Sequence, residues 1–326
     1  MAKFIMRAIP HFIAVVVLGL SHGLAPAQTY PSKPVRIIVT NPPGGTVDIL
    51  ARTVGDHLGK ALGQQFVVEN RPGANGNIGA ELLTKGPADG YTLMVGPPGP
   101  FAINASLFSK LPYNPSTDFA PVSLLAVAPL VLVVNPSVPA RNLEELLRWI
   151  REQGRVSYAS QGLASTGHLA MELLKSMTGV QMDHVPYKGS APAIADLIAG
   201  HVKVAFDNTT SSLPHVRRGA LRAIAVAEKR RLEAAPDIPT VDEQGLKGFE
   251  ATPWFGIAAR AGTPREIVEK LSAEIAAGLK ESETQKKFAT LGVELRGTTP
   301  DEFASYIRIE TEKWRRIVKL SGARLD

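Results

Sequence analysis

Two stretches combine glycine and hydroxyl residues in a way that suits an anion. In residues 41–48, Gly44 and Gly45 let the backbone approach a bound group closely. Thr46 then opens a helical pattern whose unpaired N–H groups and partial positive charge favour negative charge. In residues 160–168, Ser160, Ser165 and Thr166 precede a second helix start that carries His168. Two such N-termini facing one another would hold a carboxylate. Taken singly, each is also accounted for as a capped helix, since Thr46 and Thr166 are ordinary N-cap residues. Asp48 lies in the first turn of its helix, where the dipole stabilises a carboxylate. Asp207 ends a strand, where a turn cap and a contact to a ligand amino or hydroxyl group fit equally well.

Residues for bond-making chemistry are sparse. The chain has no cysteine, which excludes disulfides, thiol catalysis and thiolate metal sites. It has no G-x-S-x-G elbow, Walker loop or H-E-x-x-H. His57, His168, His184, His201 and His215 show no metal-ligand spacing. Ser165 and His168 form the one pair that reads as nucleophile and base, against a capping role for the histidine. Residues 73–79 (GANGNIG) have G-x-x-G-x-x-G spacing rather than that of a dinucleotide loop.

The elements that must position these residues alternate strand and helix, the pattern of an α/β fold with a largely parallel sheet. A β-branched run at 35–40 precedes a helix with Val47, Leu50, Val54, Leu58 and Leu62 on one face, ending at Gly63. A strand at 66–68, a glycine-rich loop at 71–79, a helix through 80–83 and a strand at 91–95 follow. The same order recurs with a strand at 156–159, a small-residue turn at 160–167 and a helix to Gly179. It continues with a strand at 182–185, a loop at 186–192, a helix at 193–199 and a strand at 202–206. Two such units predict two lobes, each with its own sheet. Thr263-Pro264-Arg265-Glu266 and Thr299-Pro300-Asp301-Glu302 read as capping boxes of C-terminal helices. Crossings between lobes are expected near 127–136 and 250–262, forming a hinge.

Residues 1–27 read as a secretory signal. Lys3 and Arg7 precede an apolar run at 8–20, and Ala25-Pro26-Ala27 supplies a cleavage site after Ala27. An uncleaved anchor is the competing reading, but the run is short of the ~20 residues a bilayer span needs. Loss of Lys3 and Arg7 would reduce the formal charge from +6 to +4. That excess is spread thinly, without the concentrated basic face that nucleic acid requires.

Several segments together resemble the tripartite tricarboxylate transporter receptors, the Bug-type extracytoplasmic solute receptors. They are YPSKPVRIIV at 30–39, PPGGTVDILAR at 42–52, VENRPGA at 68–74, DGYTL at 89–93, HVPYKGS at 184–190, PDIPTV at 236–241 and WFG at 254–256. The resemblance spans nearly the whole mature chain in order. It implies a periplasmic, monomeric, type II-like periplasmic-binding-protein fold whose cleft closes on a small carboxylate for delivery to a membrane permease. No cofactor, metal or catalytic residue is implied. The expected lobes are 28–130 with 255–326, and 131–254. By this resemblance Gly44, Gly45 and Thr46 hold a ligand carboxylate, and the opposing lobe contributes Ser160, Ser165, Thr166 and His168. Asp207 matches the position that meets an amino group in members binding amino acids. With Asp48, Gly96 and Gly189, these complete the expected ligand-binding set.

Two departures stand out. Asn41 replaces an aromatic residue common in the family, and the third-strand loop reads GPPGP at 96–100 where Gly-Thr-x-Gly-Thr is common. Prolines at 97 and 100 remove two hydroxyls and stiffen the loop, which predicts a drier pocket suited to a less polar acid. A ligand-sensing subunit of a membrane signalling protein and a hydrolase built on Ser165 and His168 are the competing functions.

Overall fold

β1 (Val35–Val39) is buried at four of its five positions and feeds through a Pro-Gly turn into α1 (Thr46–Leu62) in the computed structural model, which describes residues 30–324. The expected signal segment and its cleavage site lie outside the described residues. α1 buries Val47, Leu50, Val54 and Leu58, as their three- and four-residue spacing requires. Gly63 closes the helix in the left-handed conformation, its N–H on the Gly59 carbonyl. β2 (Phe66–Asn70), α2 (Asn77–Lys85), β3 (Thr92–Gly96), α3 (Asn104–Leu107) and β4 (Phe119–Val127) follow.

Only Ala128 and Pro129 separate β4 from β5 (Leu130–Val134), whose five residues are all buried. The chain continues through α4 (Leu143–Gln153), β6 (Val156–Ser160), α5 (Thr166–Thr178), β7 (Met182–Pro186) and α6 (Ser190–Ala199). β8 (Val204–Asn208), α7 (Thr209–Arg217) and β9 (Arg222–Val226) complete this pass. It returns in β10 (Trp254–Arg260) and ends with α8 (Arg265–Leu279), α9 (Ser282–Thr290), β11 (Glu294–Leu295) and α10 (Pro300–Ser321).

The strands form two sheets, in the orders β11-β4-β10-β3-β1-β2 and β7-β6-β8-β5-β9. Both follow one plan. The first strand lies between the second and third and runs parallel to both: β1 between β2 and β3, β6 between β7 and β8. Beside the third comes a strand that has just crossed from the other lobe, antiparallel to its neighbours. This is β10 between β3 and β4, and β5 between β8 and β9. The parallel reading therefore holds for the front of each sheet and gives way at the crossing strands. Because β1 and β3 are parallel, as are β6, β7 and β8, the loops leaving their carboxyl ends gather at one end of each sheet. That is where ligands bind on open α/β sheets.

The two capping boxes fare differently. At α10 the box forms, with Glu302 N–H on Thr299 Oγ1 at 3.3 Å and Thr299 N–H on Glu302 Oε2 at 2.9 Å. At α8 it does not: Pro264 takes the N-cap position, and Thr263 Oγ1 donates instead to the Arg260 carbonyl at 2.8 Å. Thr299-Pro300 carries the same proline and still forms its box, so the difference lies in the acceptor that Thr263 finds in the preceding turn. α2 and α6 also begin earlier than expected, at Asn77 and Ser190, taking over parts of the predicted loops.

Candidate functional site

A cavity of about 570 Å³ is walled by the loops leaving β1 and β3 on one side and β6, β7 and β8 on the other. Four helices begin on it: α1 at Gly45 and Thr46, α5 at Ser165 and Thr166, α6 at Gly189 and Ser190, α7 at Asn208 and Thr210. Their caps differ in a way that matters. Ser165 caps α5, accepting the His168 N–H at 3.3 Å. α1, α6 and α7 have no side-chain cap at all. Gly45 and Gly189 occupy two of those N-cap positions, so first-turn donors face the cavity without a competing hydroxyl. Gly189 does so at φ +106°, which a side chain would strain.

Thr46 is therefore no cap. Its Oγ1 reaches across the cavity to Thr210 Oγ1 at 2.5 Å. The partner that α1 meets is the start of α7, whereas the sequence pointed to the start of α5. Beside it, Asn75 Nδ2 donates to the Ala164 carbonyl at 3.3 Å, a second hydrogen bond joining the two walls.

Of the expected contacts, Gly44, Gly45, Thr46, Ser165, Thr166 and Gly189 line the cavity; Asp48, Gly96, Ser160, His168 and Asp207 stand behind its wall. Asp48 accepts the Gly44 N–H at 3.0 Å, Arg52 Nε at 3.1 Å and Asn70 Nδ2 at 3.0 Å. Burial alone would raise its pKa; those hydrogen bonds and the Arg52 charge hold it below the usual carboxylate range. It shapes the glycine turn from behind. Gly96 is a packing glycine, since a Cβ there would sit 2.9 Å from Thr40 Oγ1.

Ser160 and His168, both buried, belong to a histidine stack with the half-buried His184. His168 and His184 rings lie 4.0 Å apart, and Tyr158 stacks on His184 at 4.9 Å. Ser160 Oγ lies 2.6 Å from His184 Nε2 and donates to the Gly162 carbonyl at 2.9 Å. His168 Nδ1 accepts the Ala164 N–H at 3.0 Å. Burial lowers both histidines, His184 to about 4, so the stack is neutral. Ser165 Oγ thus meets the backbone of His168, and the ring's Nδ1 is committed to a structural hydrogen bond. This geometry gives the Ser165–His168 hydrolase reading no nucleophile–base contact.

Asp207 is 1 % exposed and accepts from Gln161 Nε2 and from Ser190 Oγ at 2.7 Å. Burial pushes its carboxyl up to about 6, against the pull of those hydrogen bonds. Asp207 Oδ2, Gln161 Oε1 and Asn208 Oδ1 are buried acceptors without a protein partner. Gln161 and Asn208 line the cavity, so the unpaired acceptors gather at its edge. Among the described residues, no group of His, Asp and Glu side chains has an arrangement suited to a metal ion.

Lining residues not singled out in the sequence include Gln161, Asn208, Thr210, Ser211, His215 and Lys188. The run DNTTSS at 207–212 carried a signal for three of them, a hydroxyl-rich stretch directly after a strand. The two prolines of the third-strand loop divide. Pro97 lines the cavity, whereas Pro100 is buried against Gly76 and Gly96.

The profile of the tripartite tricarboxylate transporter family receptors matches residues 50–323. The chain is 38% identical over 315 residues to Protein BugT of Bordetella pertussis, covering 96% of each. Among solved structures, an adipate-bound protein of R. palustris superimposes with a TM-score of 0.87 at 38% identity, over 91% of this chain and 100% of the other. The periplasmic binding protein BugD gives 0.85 at 32% identity, over 90% and 99%. MatC from Rhodopseudomonas palustris, with bound malate, gives 0.84 at 31%, over 89% and 100%. The two-lobed architecture is that of periplasmic binding proteins, and the chain belongs to the tripartite tricarboxylate transporter receptor family.

Proposed function

We propose that this protein captures a small carboxylate outside the cytoplasm and presents it to the membrane permease of a tripartite transporter. The observation that carries this reading is the convergence of three uncapped helix N-termini on one 570 Å³ cavity. Their first-turn N–H groups, apart from that of Thr209, which donates to the Pro129 carbonyl, and their aligned dipoles favour a carboxylate, and Lys188 adds a positive charge on the wall. The acid ligands of the relatives, adipate and malate, support the same chemistry here. In this reading the bound acid leaves unchanged.

Gly44, Gly45, Thr46, Ser165, Thr166 and Gly189 contact the ligand, while Asp48, Gly96, Ser160, His168 and Asp207 hold those contacts in place. Residues 28–130 with 255–326 move as one lobe and residues 131–254 as the other. The signal is cleaved after Ala27 and the mature protein is a monomer. No helix among the described residues is long and apolar enough to cross a membrane, which suits this reading.

The test is a thermal-shift screen of residues 28–326 against di- and tricarboxylates, acidic amino acids and aromatic acids. A ligand at 100 times its Kd adds ~2.7 kcal/mol to native stability, a rise of several degrees. A hit recovered chemically unchanged supports a receptor. Turnover of the hit would overturn it in favour of an enzyme.

A further inference from the structure

The cavity extends beyond its anion-holding end. Thr210, Ser211, Pro214 and His215 line it from α7, at spacings that share one helix face. Ala191, Ile194, Ala195 and Ile198 line it from α6 in the same way. At 1.5 Å rise per residue, Ile198 lies about 10 Å further along α6 than Ala191, and His215 about 7.5 Å further along α7 than Thr210. The two helices therefore wall an apolar arm leading away from their own N-termini.

Two titratable side chains line the whole cavity, Lys188 and His215. Lys188 sits in the loop before α6, at the anion-holding end, and His215 stands along the arm. Arg218 Nη2 lies 3.2 Å from His215 Nδ1. A guanidinium only donates, so Nδ1 is the acceptor and the ring proton resides on Nε2. Burial, and then the Arg218 charge, lower the His215 pKa, so the ring is neutral. The arm thus holds an uncharged N–H donor on a side chain that lines the cavity.

We propose that His215 reads the second polar end of the ligand, an acceptor oxygen roughly 7 to 9 Å from the anchored carboxylate. This rests on the acid-binding reading above and narrows it to acids with an apolar body and a distal oxygen. Because the donor is neutral, a carbonyl or amide oxygen serves as well as a second carboxylate. Arg218 acts as a positioning residue, setting the tautomer.

Three probes of one length separate the possibilities by isothermal titration: adipate, adipic acid monoamide and hexanoate. In the wild-type protein the first two bind about tenfold more tightly than hexanoate, the worth of one well-formed hydrogen bond. His215→Leu reduces that preference below twofold, and His215→Gln, which keeps an amide donor at similar reach, retains most of it. In the ¹⁵N spectrum His215 Nδ1 shows the unprotonated signature, which Arg218→Met converts to a tautomer mixture. A His215→Leu protein that melts like wild type and keeps the preference overturns the inference, as does a protonated Nδ1. A wild-type protein that binds all three probes equally also overturns it. Failure of all three to bind removes the acid-binding reading itself, and this inference with it.

Discussion

Thr46 Oγ1 and Thr210 Oγ1 lie 2.5 Å apart, although 164 residues separate them in the chain. One stands at the start of α1 on the first sheet and the other at the start of α7 on the second, so the bond exists only while the walls are together. A hydroxyl freed from capping has become a clasp across the cleft. Loss of a neutral hydrogen bond costs about 1 kcal/mol. Thr210→Val should therefore weaken ligand binding about fivefold by favouring the open form, with a melting temperature close to wild type in the unliganded protein. An unchanged Kd, with unchanged small-angle scattering of the unliganded protein, would remove the clasp.

Asp48 ties the glycine turn to α1 and β2 through Gly44, Arg52 and Asn70. Its folded pKa is depressed, so its contribution to stability is present above its unfolded pKa of about 3.9 and is lost as the pH falls through the folded value. Asp48→Asn should cost on the order of 2 kcal/mol at pH 7, the worth of a charge-assisted hydrogen bond. The gap between the urea midpoints of the two proteins should narrow as the pH falls from neutral to below about 3.9. A constant gap across that range would contradict this account.

Asp207 behaves in the opposite sense. Its folded pKa of about 6 lies above the unfolded value, so burial favours the neutral acid. Stability from that preference is full below about pH 4 and is lost as the pH rises through 6. Asp207→Asn, a neutral isostere, should flatten the loss, leaving the variant on the order of 2 kcal/mol less pH-sensitive between pH 4 and 7. Binding of a carboxylate probe such as adipate should tighten from pH 7 to pH 5 in the wild type, as the nearby negative charge disappears, and barely change in the variant. Equal pH profiles for both proteins would show that Asp207 is already ionised at pH 5.

The prolines that replace hydroxyl residues common in the family should separate by assay. Pro97 lines the cavity, so Pro97→Thr should shift the ligand preference toward more polar acids with little effect on stability. Pro100 packs on the sites of Gly76 and Gly96, so Pro100→Thr should cost about 1 kcal/mol of stability and leave the ligand order unchanged. A competition panel on each variant, with its melting curve, distinguishes the two outcomes.

Gly256 on β10 faces the ring of Phe303 on α10, where an added Cβ would lie 2.0 Å from the ring carbon Cζ. Phe303 is fully buried among Phe101 and Trp254, with no space to retreat. Gly256→Ala should destabilise the protein by about 2 to 3 kcal/mol. A melting temperature within a degree of wild type would mean that α10 shifts more readily than this packing allows.

The sequence by itself determined the family and many of the elements that carry the cavity loops. The stripe from Val47 to Leu58, the closing glycines at 63 and 179, and the Thr299–Glu302 box are all local patterns, written within a few residues of where they act. The glycine turn at 44–45, which lines the cavity and is proposed to hold the ligand, was legible for the same reason. Tertiary structure alone decided which helix starts face it. That choice depends on β5 and β10 being inserted beside β8 and β3, and so on pairings between segments far apart in the chain. Thr46 resembled a cap until Thr210 appeared opposite it, and His168 resembled a base until its ring stacked on His184. A hydroxyl or an imidazole can serve several partners, and its role is settled by which partner the fold brings within about 3 Å.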